Sequence, residues 1–487
     1  EEGEDIRCKP QWHRSLACSL YAHRFADRGY ESHKNVTVPQ RTHRESDSLA
    51  PVMIPTPRVL GGGGVMGGRS WLIGNESDWA ESPWNFRSDL LPRVQRLENV
   101  ENAEPHRGRR GKFTISRPQA QSPLFRTFCE AMSKDTALTS EFNNKSFKVR
   151  AGCGRSESLI DPRTGAAHNT LQGYLMDAVK LRRPLDVICG ARVFSINSRQ
   201  GDKKTATGVS YTLKGVTTHV EADNVVLCAG GLGTPSLVSE SRSALSVLPS
   251  FGTNFWDVPQ VTMQFSTPTS LSHNCFMDPL VQKFLWLNVT CGTPISALCS
   301  AYDDMFCYWS SVEGESPDVR FVFQPFTLNN DGTRPKGVAH GVQIIAQLLR
   351  PKSRGSIRDD GAIDPRYLTH PDDAAALNRA VERVKELLNM LPFSRFLSEM
   401  VAERFESAGV CGGASYPALD PETFLLKNMR NVYVCDGSIL PSPLAGTSLP
   451  YLLALGESFT DRFVKNFSFG VDGTAVKEDS RSTRIIY

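Results

Sequence analysis

The stretch "NVVLCAGGLGTPSLVSE", residues 224–240, carries the class of the fold. Asn224 to Cys228 is a short apolar run of strand-forming residues, and the chain then turns through Gly230, Gly231 and Gly233 toward a helix. An apolar strand that ends in a glycine turn and feeds a helix is the crossover unit of a parallel sheet, and such turns are where α/β proteins contact nucleotides. A plain βα connection has the same local pattern, so the stretch predicts an α/β fold before it predicts a ligand.

Outward from it, strand patterns continue on both sides. "RRPLDVICGARVFSINSR" predicts two short strands, Leu185 to Cys189 and Ala191 to Ile196, broken by Gly190; Gly208 to Leu213 and Thr217 to Ala222 follow. Pro317 to Phe326 and Ala339 to Leu349 read as strands of a second sheet. His370 to Leu391 has apolar residues at helical spacing, with Asp372 and Asp373 favourable at its N-terminus. Toward the end come a strand Asn431 to Cys435, a turn at Asp436-Gly437, a Pro/Gly loop and a helix from about Tyr451.

A second glycine-rich stretch lies near the start: "PRVLGGGGVMGGRSWLIGNESDW", Pro57 to Trp79. A flexible linker would set its glycines among serines and polar residues. Here they sit between Val59-Leu60 and Val65-Met66 and lead into Trp71-Leu72-Ile73. The alternative to a linker is a tight loop whose N–H groups face an anion or a flat ring.

Composition bounds the rest. A chain of 487 residues with 40% hydrophobic content has material for two domains or one large discontinuous one. Its 55 basic and 52 acidic residues leave a formal charge of +3, which gives no field for nucleic acid. The basic cluster His106 to Lys112 lacks interleaved aromatics and reads as a solvated loop. No apolar run approaches the roughly 18 residues of a membrane span. The 12 cysteines are scattered without a C-x-x-C pair or zinc-ligand spacing, so no metal site is expected and the compartment stays open. Asn-x-Ser/Thr triplets at Asn35, Asn75, Asn144, Asn288 and Asn466 permit glycosylation without requiring it. The opening "EEGEDIRCKPQWHRS" has no signal-peptide pattern.

Taken in order, these blocks resemble the glucose-methanol-choline (GMC) family of FAD-dependent oxidoreductases. Leu60 to Trp79 is similar to the family's first signature, and Cys228 to Val238 to the start of its second. "LRPKSRGSIRDDGAIDPRYLTHPDD" and "CDGSILPSPLAGTSLPYLLALGES" resemble two blocks of its C-terminal part. The resemblance covers most of Leu60 to Val464. It implies an α/β fold: a Rossmann-like FAD-binding domain without its first βαβ unit, joined to an α+β substrate-binding domain. The implied division is 1–255 for the N-terminal region, 256–345 for a substrate-binding sheet, 346–465 for the region completing both sites, and 466–487 for a tail.

The resemblance also assigns residues. Gly61, Gly62, Gly63 and Gly64 would pack near the flavin, and Gly67 stands where the family has an asparagine beside it. Val193 would approach the adenine, and Gly230 would be a further cofactor contact. Asp436 and Gly437 would lie near the pyrophosphate or ribityl chain, Thr447 and Ser448 near the flavin edge. The opening "EEG" resembles the end of the family's second strand, which makes Glu2 the ribose ligand and implies that about 30 residues with the phosphate-binding turn are missing ahead of it.

The implied reaction is oxidation of a small-molecule alcohol by hydride transfer to the flavin, with a base taking the hydroxyl proton. At the family's catalytic histidine this chain has Glu406, in "FESAGVCGGASY", and the partner position falls on Leu449. A carboxylate can accept a proton, but it opposes negative charge on a reduced flavin. His168 and His340 are alternative bases. Altered catalytic positions on a retained scaffold leave two other readings: a flavin-binding or scaffolding protein without the activity, or a lyase on the same fold. Substrate, electron acceptor and compartment are not assigned by the sequence.

Overall fold

A computed structural model of the chain describes residues 2, 33–42, 49–66, 69–117, 122–133, 138–139, 141–161, 168–181, 184–241, 245, 248, 250–268, 270–274, 280, 305–327, 329, 338–391, 393–468 and 485–486. Its strands in chain order are β1 (His33–Val36), β2 (Met53–Thr56), β3 (Glu98–Val100), β4 (Phe113–Ile115), β5 (Gly152–Arg155), β6 (Ala191–Arg199), β7 (Asp202–Leu213), β8 (Val216–Glu221), β9 (Asn224–Leu227), β10 (Thr253–Ser266), β11 (Met305–Trp309), β12 (Val319–Gln324), β13 (Gly341–Leu348), β14 (Gly355–Ile357), β15 (Ile363–Asp364), β16 (Met400–Gly412), β17 (Val432–Val434) and β18 (Ile485–Ile486).

The stretch at residues 224–240 behaves as its pattern predicts. Every position of β9 is buried, as in a strand covered on both faces. Gly230, at φ +86°, turns the chain into the helix Gly230–Glu240. β9 is flanked by β17 and β18, both parallel to it. Within the stretch 466–487, read from the sequence as a tail, Ile485 and Ile486 form the third strand of this sheet. Trp79, Trp84, Trp256, Tyr451 and Phe459 belong to the core that includes β9 and β17.

Among the described residues the largest sheet has eight strands, in the order β15-β14-β10-β13-β12-β11-β5, with β16 also paired to β10. Alternation gives it two unlike faces. Val261, Met263, Phe265, Phe321, Phe323, Ile344 and Ala346 form the apolar face with the helices Pro123–Met132 and Pro371–Leu387. Gln260, Thr262, Gln264, Arg320, Gln343, Gln347, Arg404 and Glu406 alternate with them along the same strands. The helix Pro371–Leu387 starts at a His370 cap, whose ring accepts from the Asp372 N–H at 3.3 Å. Residues 388–391 leave the helix as turns, so its sequence pattern runs past its end.

Two expectations fail. Leu185 to Cys189 forms no strand: Leu185 and Ile188 are exposed while Val187 and Cys189 pack against the cluster of Val59, Leu60, Val65 and Leu171, and alternate burial with strand propensity does not by itself make a strand. The His106 to Lys112 cluster is not simply solvated, since the Arg107 side chain is fully buried between two carboxylates. Among the described residues no helix is long and apolar enough to cross a membrane.

Candidate active site

β9 and β17 run parallel, so their carboxyl ends open on one side, the place where α/β sheets take up ligands. Asp436 ties the two ends together there. Its Oδ2 accepts from the Gly230 N–H at 2.9 Å and the Thr234 hydroxyl at 2.5 Å, and its Oδ1 accepts from the Ser438 N–H and hydroxyl at 2.8 and 2.6 Å. Burial raises the carboxyl pKa against these four bonds. With both oxygens held by protein groups, Asp436 fixes the shape of the junction. Gly437 lies against Gly231 and the Cys411 carbonyl, which brings the end of β16 to the same point.

The glycine loop divides by function. A Cβ on Gly64 would come within 2.5 Å of Thr170, and one on Gly61 within 2.5 Å of Val65, so these two serve local packing. At Gly62, Gly63 and Gly230 a Cβ would meet nothing within 4 Å. Gly67 lies outside the described residues. Glu2 pairs with Arg58, just ahead of the loop, at 2.6 Å. Val193 sits half-buried on β6 opposite Tyr211.

Downstream, Leu72 to Gly74 meets Ala445 to Thr447. The Leu72 N–H donates to Thr447 Oγ1 at 3.2 Å, and the Thr447 N–H donates to the Leu72 carbonyl at 2.9 Å. Thr447 thus holds the two segments together. Among the described residues the neighbouring Ser448 hydroxyl has no protein partner, and it stands ahead of the 20-residue helix Leu449–Ser468. Gly74 has φ +75°, and a Cβ there would come within 2.4 Å of Gly446 N. We expect Gly74→Ala to force the segments apart, at a cost of about 1–3 kcal/mol, and to lower flavin retention after gel filtration.

The polar face of the eight-stranded sheet carries Glu406. In cross-strand register, Glu406, Gln260, Gln347, Arg320 and Tyr308 form one row. Arg320 donates to Gln347 Oε1 at 3.0 and 2.5 Å, and Gln347 donates to Gln260 Oε1 at 3.2 Å. Tyr308, at the far end, donates to the Ala445 carbonyl at 2.8 Å, which joins this row to the 445–448 block. Glu406 Oε2 accepts from the Thr262 hydroxyl at 2.8 Å and Oε1 from Arg404 Nε at 2.9 Å. Its side chain is 18% exposed, so the carboxylate is ordered yet reachable. Leu449 is half-buried at the helix start and packs against the core, offering no hydrogen bond. His168 and His340 share no hydrogen bond with this row; His340 meets Ser272 at 3.2 Å, and burial lowers the His168 pKa.

Behind Glu406 the pairing of β16 with β10 shifts between the partners of Pro259 and Asp257, leaving Ala408 to Val410 as a bulge with Gly409 at φ +67°. Asp257 is buried there, accepts from the Tyr367 hydroxyl, and keeps Oδ1 without a partner. Burial raises its pKa to about 7, against the hydrogen bonds of Ser407 and Tyr367. The sign follows: the unfolded chain releases this proton near pH 4, so the stability carried by protonated Asp257 is complete below that and is lost as pH rises through about 7. Full ionisation corresponds to roughly 4 kcal/mol. The difference in thermal midpoint between Asp257→Asn and the parent should therefore grow in the variant's favour from pH 5 to pH 8; a difference independent of pH would contradict this.

One buried network was invisible in the sequence. Arg107 donates Nη2 to Glu98 Oε1 at 2.7 Å and Nη1 to Glu157 Oε2 at 2.6 Å, with Arg107 and Glu98 both 0% exposed. Burial works against the guanidinium, and the two carboxylates outweigh it and hold its pKa above the ordinary value. Trp71 Nε1 donates to Glu98 at 2.7 Å, and Asn143 bridges Glu157 to the Trp71 carbonyl, both at 2.7 Å, and accepts from the Ile73 N–H. The network therefore grips the segment that meets Ala445 to Thr447.

A dinucleotide fits these residues in three respects: the uncovered glycines at 62, 63 and 230, the free Ser448 hydroxyl at a helix start, and the shared carboxyl ends of β9 and β17. Comparison with known proteins agrees. Family profiles described as GMC oxidoreductase match residues 42–259 and 351–456. The oxygen-dependent choline dehydrogenase of Staphylococcus xylosus is 26% identical over 459 residues, covering 83% of this chain and 80% of that protein. Pyridoxine 4-oxidase from Mesorbium loti superposes with a TM-score of 0.76 at 18% identity, covering 96% of this chain and 94% of that one. A variant of Aspergillus oryzae formate oxidase gives 0.78 at 14% identity, with 96% and 93% covered. At these identities the structural likeness speaks for the fold.

Proposed function

The chain belongs to the GMC oxidoreductase family, whose cofactor is FAD, and from that premise we propose that it oxidises the CH–OH group of a small-molecule alcohol, with Glu406 taking the hydroxyl proton. The observation that carries this reading is the Glu406 carboxylate on the polar face of the sheet, 18% exposed and 2.9 Å from Arg404. FAD would supply the hydride-accepting ring. Gly62, Gly63, Gly230 and Ser448 would hold it, and residues 256–345 would contribute the sheet that roofs the substrate.

Arg404 answers the difficulty that a carboxylate base presents in sequence. Its guanidinium balances the Glu406 charge before proton uptake, so the ionised base adds little net negative charge to the site. Thr262, on the strand opposite, fixes the second carboxylate oxygen and orients the first toward incoming hydroxyl. Leu449 contributes no polar group, so Glu406 works with Arg404 and Thr262 where the family pairs two residues from separate blocks.

A second reading, a flavoprotein that binds FAD without oxidising alcohols or that acts as a lyase, is favoured by the same apolar Leu449. Steady-state turnover with an artificial electron acceptor separates them. The panel is choline and pyridoxine, alcohols named by the relatives, with simple primary alcohols. Aldehyde formation from one alcohol supports the oxidation, and flavin-loaded protein that turns over none of the panel favours the second reading.

A further inference from the structure

We propose that Cys129 and Cys153 are a modification site, at which the two thiols are oxidised to one disulfide that fastens the helix Pro123–Met132 to β5. Their Sγ atoms lie 2.8 Å apart although the residues are 24 positions apart in sequence. Unbonded heavy atoms pack at about 3.5–4.0 Å, whereas a disulfide spans about 2.05 Å, so the pair stands inside ordinary contact and a short movement from a bond. Neither sulfur reaches this place by accident of the surface: Cys129 is 5% and Cys153 1% exposed.

The second observation is a route in. Both cysteines line a cavity of about 450 Å³, which is also bordered by Arg117, Arg126, Glu130 and Arg155. A cavity of that size admits one half of a small disulfide such as oxidised glutathione. Burial pushes the Cys153 thiol well above its ordinary pKa, which makes the reaction slow and also hides the product from reductants.

The exchange balances as follows. The thiolate of one cysteine attacks a small-molecule disulfide such as oxidised glutathione, breaking its S–S bond and releasing one thiol. The other cysteine then attacks the mixed disulfide, forms the Cys129–Cys153 bond and releases the second thiol. The protein loses two hydrogens with two electrons, and the small disulfide gains both. β5 is an end strand of its sheet, hydrogen-bonded to β11, and on its outer side the Cys153 carbonyl accepts from the Thr139 N–H at 3.0 Å, so a covalent tie to the helix adds a side-chain anchor to these backbone contacts.

Cys307 provides the internal control, because it faces Cys153 in the β5–β11 register and is equally buried. The test uses the whole chain, equilibrated with oxidised glutathione, denatured with iodoacetamide present, and digested without reduction. The expected product is one peptide pair joined through Cys129 and Cys153, lighter by two hydrogens than its parts and separated by dithiothreitol. The oxidised parent should also melt about 3 °C above the reduced one, a shift that Cys129→Ala and Cys153→Ala abolish. Alkylation of both cysteines after oxidation, or a link through Cys307, overturns the proposal, and the peptide map decides this on the unaltered chain.

Discussion

Arg107→Ala lowers stability by about 3–5 kcal/mol, measured as the free energy of unfolding in denaturant, and releases flavin from the protein that remains folded. The magnitude comes from what the substitution leaves behind. Glu98 is 0% exposed and loses its cation, while Glu157, 6% exposed, keeps only the half-exposed Arg117 at 3.0 Å. Part of the penalty appears as rearrangement: Glu98 still holds Trp71 Nε1 and the Gly108 N–H, so it cannot move to solvent without orphaning two donors. The segment Trp71 to Gly74 is released in consequence, and with it the contact to Ala445–Thr447. Arg107→Lys should fall between, because one ammonium cannot reproduce the fork that reaches both carboxylates. A stable Arg107→Ala protein with full flavin content would show that the network does not support the site.

Glu406→Gln lowers kcat by about 10²–10⁴-fold with flavin content unchanged. Glutamine keeps the shape and can still accept from the Thr262 hydroxyl, so the sheet pairing with β10 is preserved. What it loses is the ability to take a proton and to balance Arg404. The expected signature is a fall in kcat and kcat/KM together, as for an interaction made only in the transition state. Undiminished turnover in Glu406→Gln would remove Glu406 from the base position while leaving the family assignment untouched.

The crossover at residues 224–240 and the helix Pro371–Leu387 were legible because their signals are local: an apolar run, a positive-φ glycine, an N-terminal cap. The resemblance of the blocks identified the family for the same reason, since each is a contiguous motif. What stayed hidden depends on pairs far apart in the chain. Arg107 looked like one of several loop cations, and only the fold shows Glu157 waiting 50 residues away. Arg404 changes the electrostatic meaning of Glu406, yet two residues along a strand carry no sequence signal for an ion pair. Asp257 is similar: nothing local distinguishes a carboxyl that burial pushes to about 7 from an ordinary surface aspartate. Leu185 to Cys189 failed in the opposite direction, with strand-like composition in a segment that packs Val187 and Cys189 beside Val59 and Leu60 without forming a strand.

The central claim is that this fold holds FAD and passes an alcohol's electrons to it. The most direct measurement is the absorption spectrum of the purified protein, recorded without oxygen before and after adding each alcohol of the panel. The expected spectrum has bands near the roughly 450 nm of oxidised flavin that bleach with one alcohol and bleach far more slowly in Glu406→Gln. Bound flavin that no alcohol bleaches would contradict the oxidation, and a spectrum with no flavin bands after reconstitution with FAD would contradict the cofactor assignment itself.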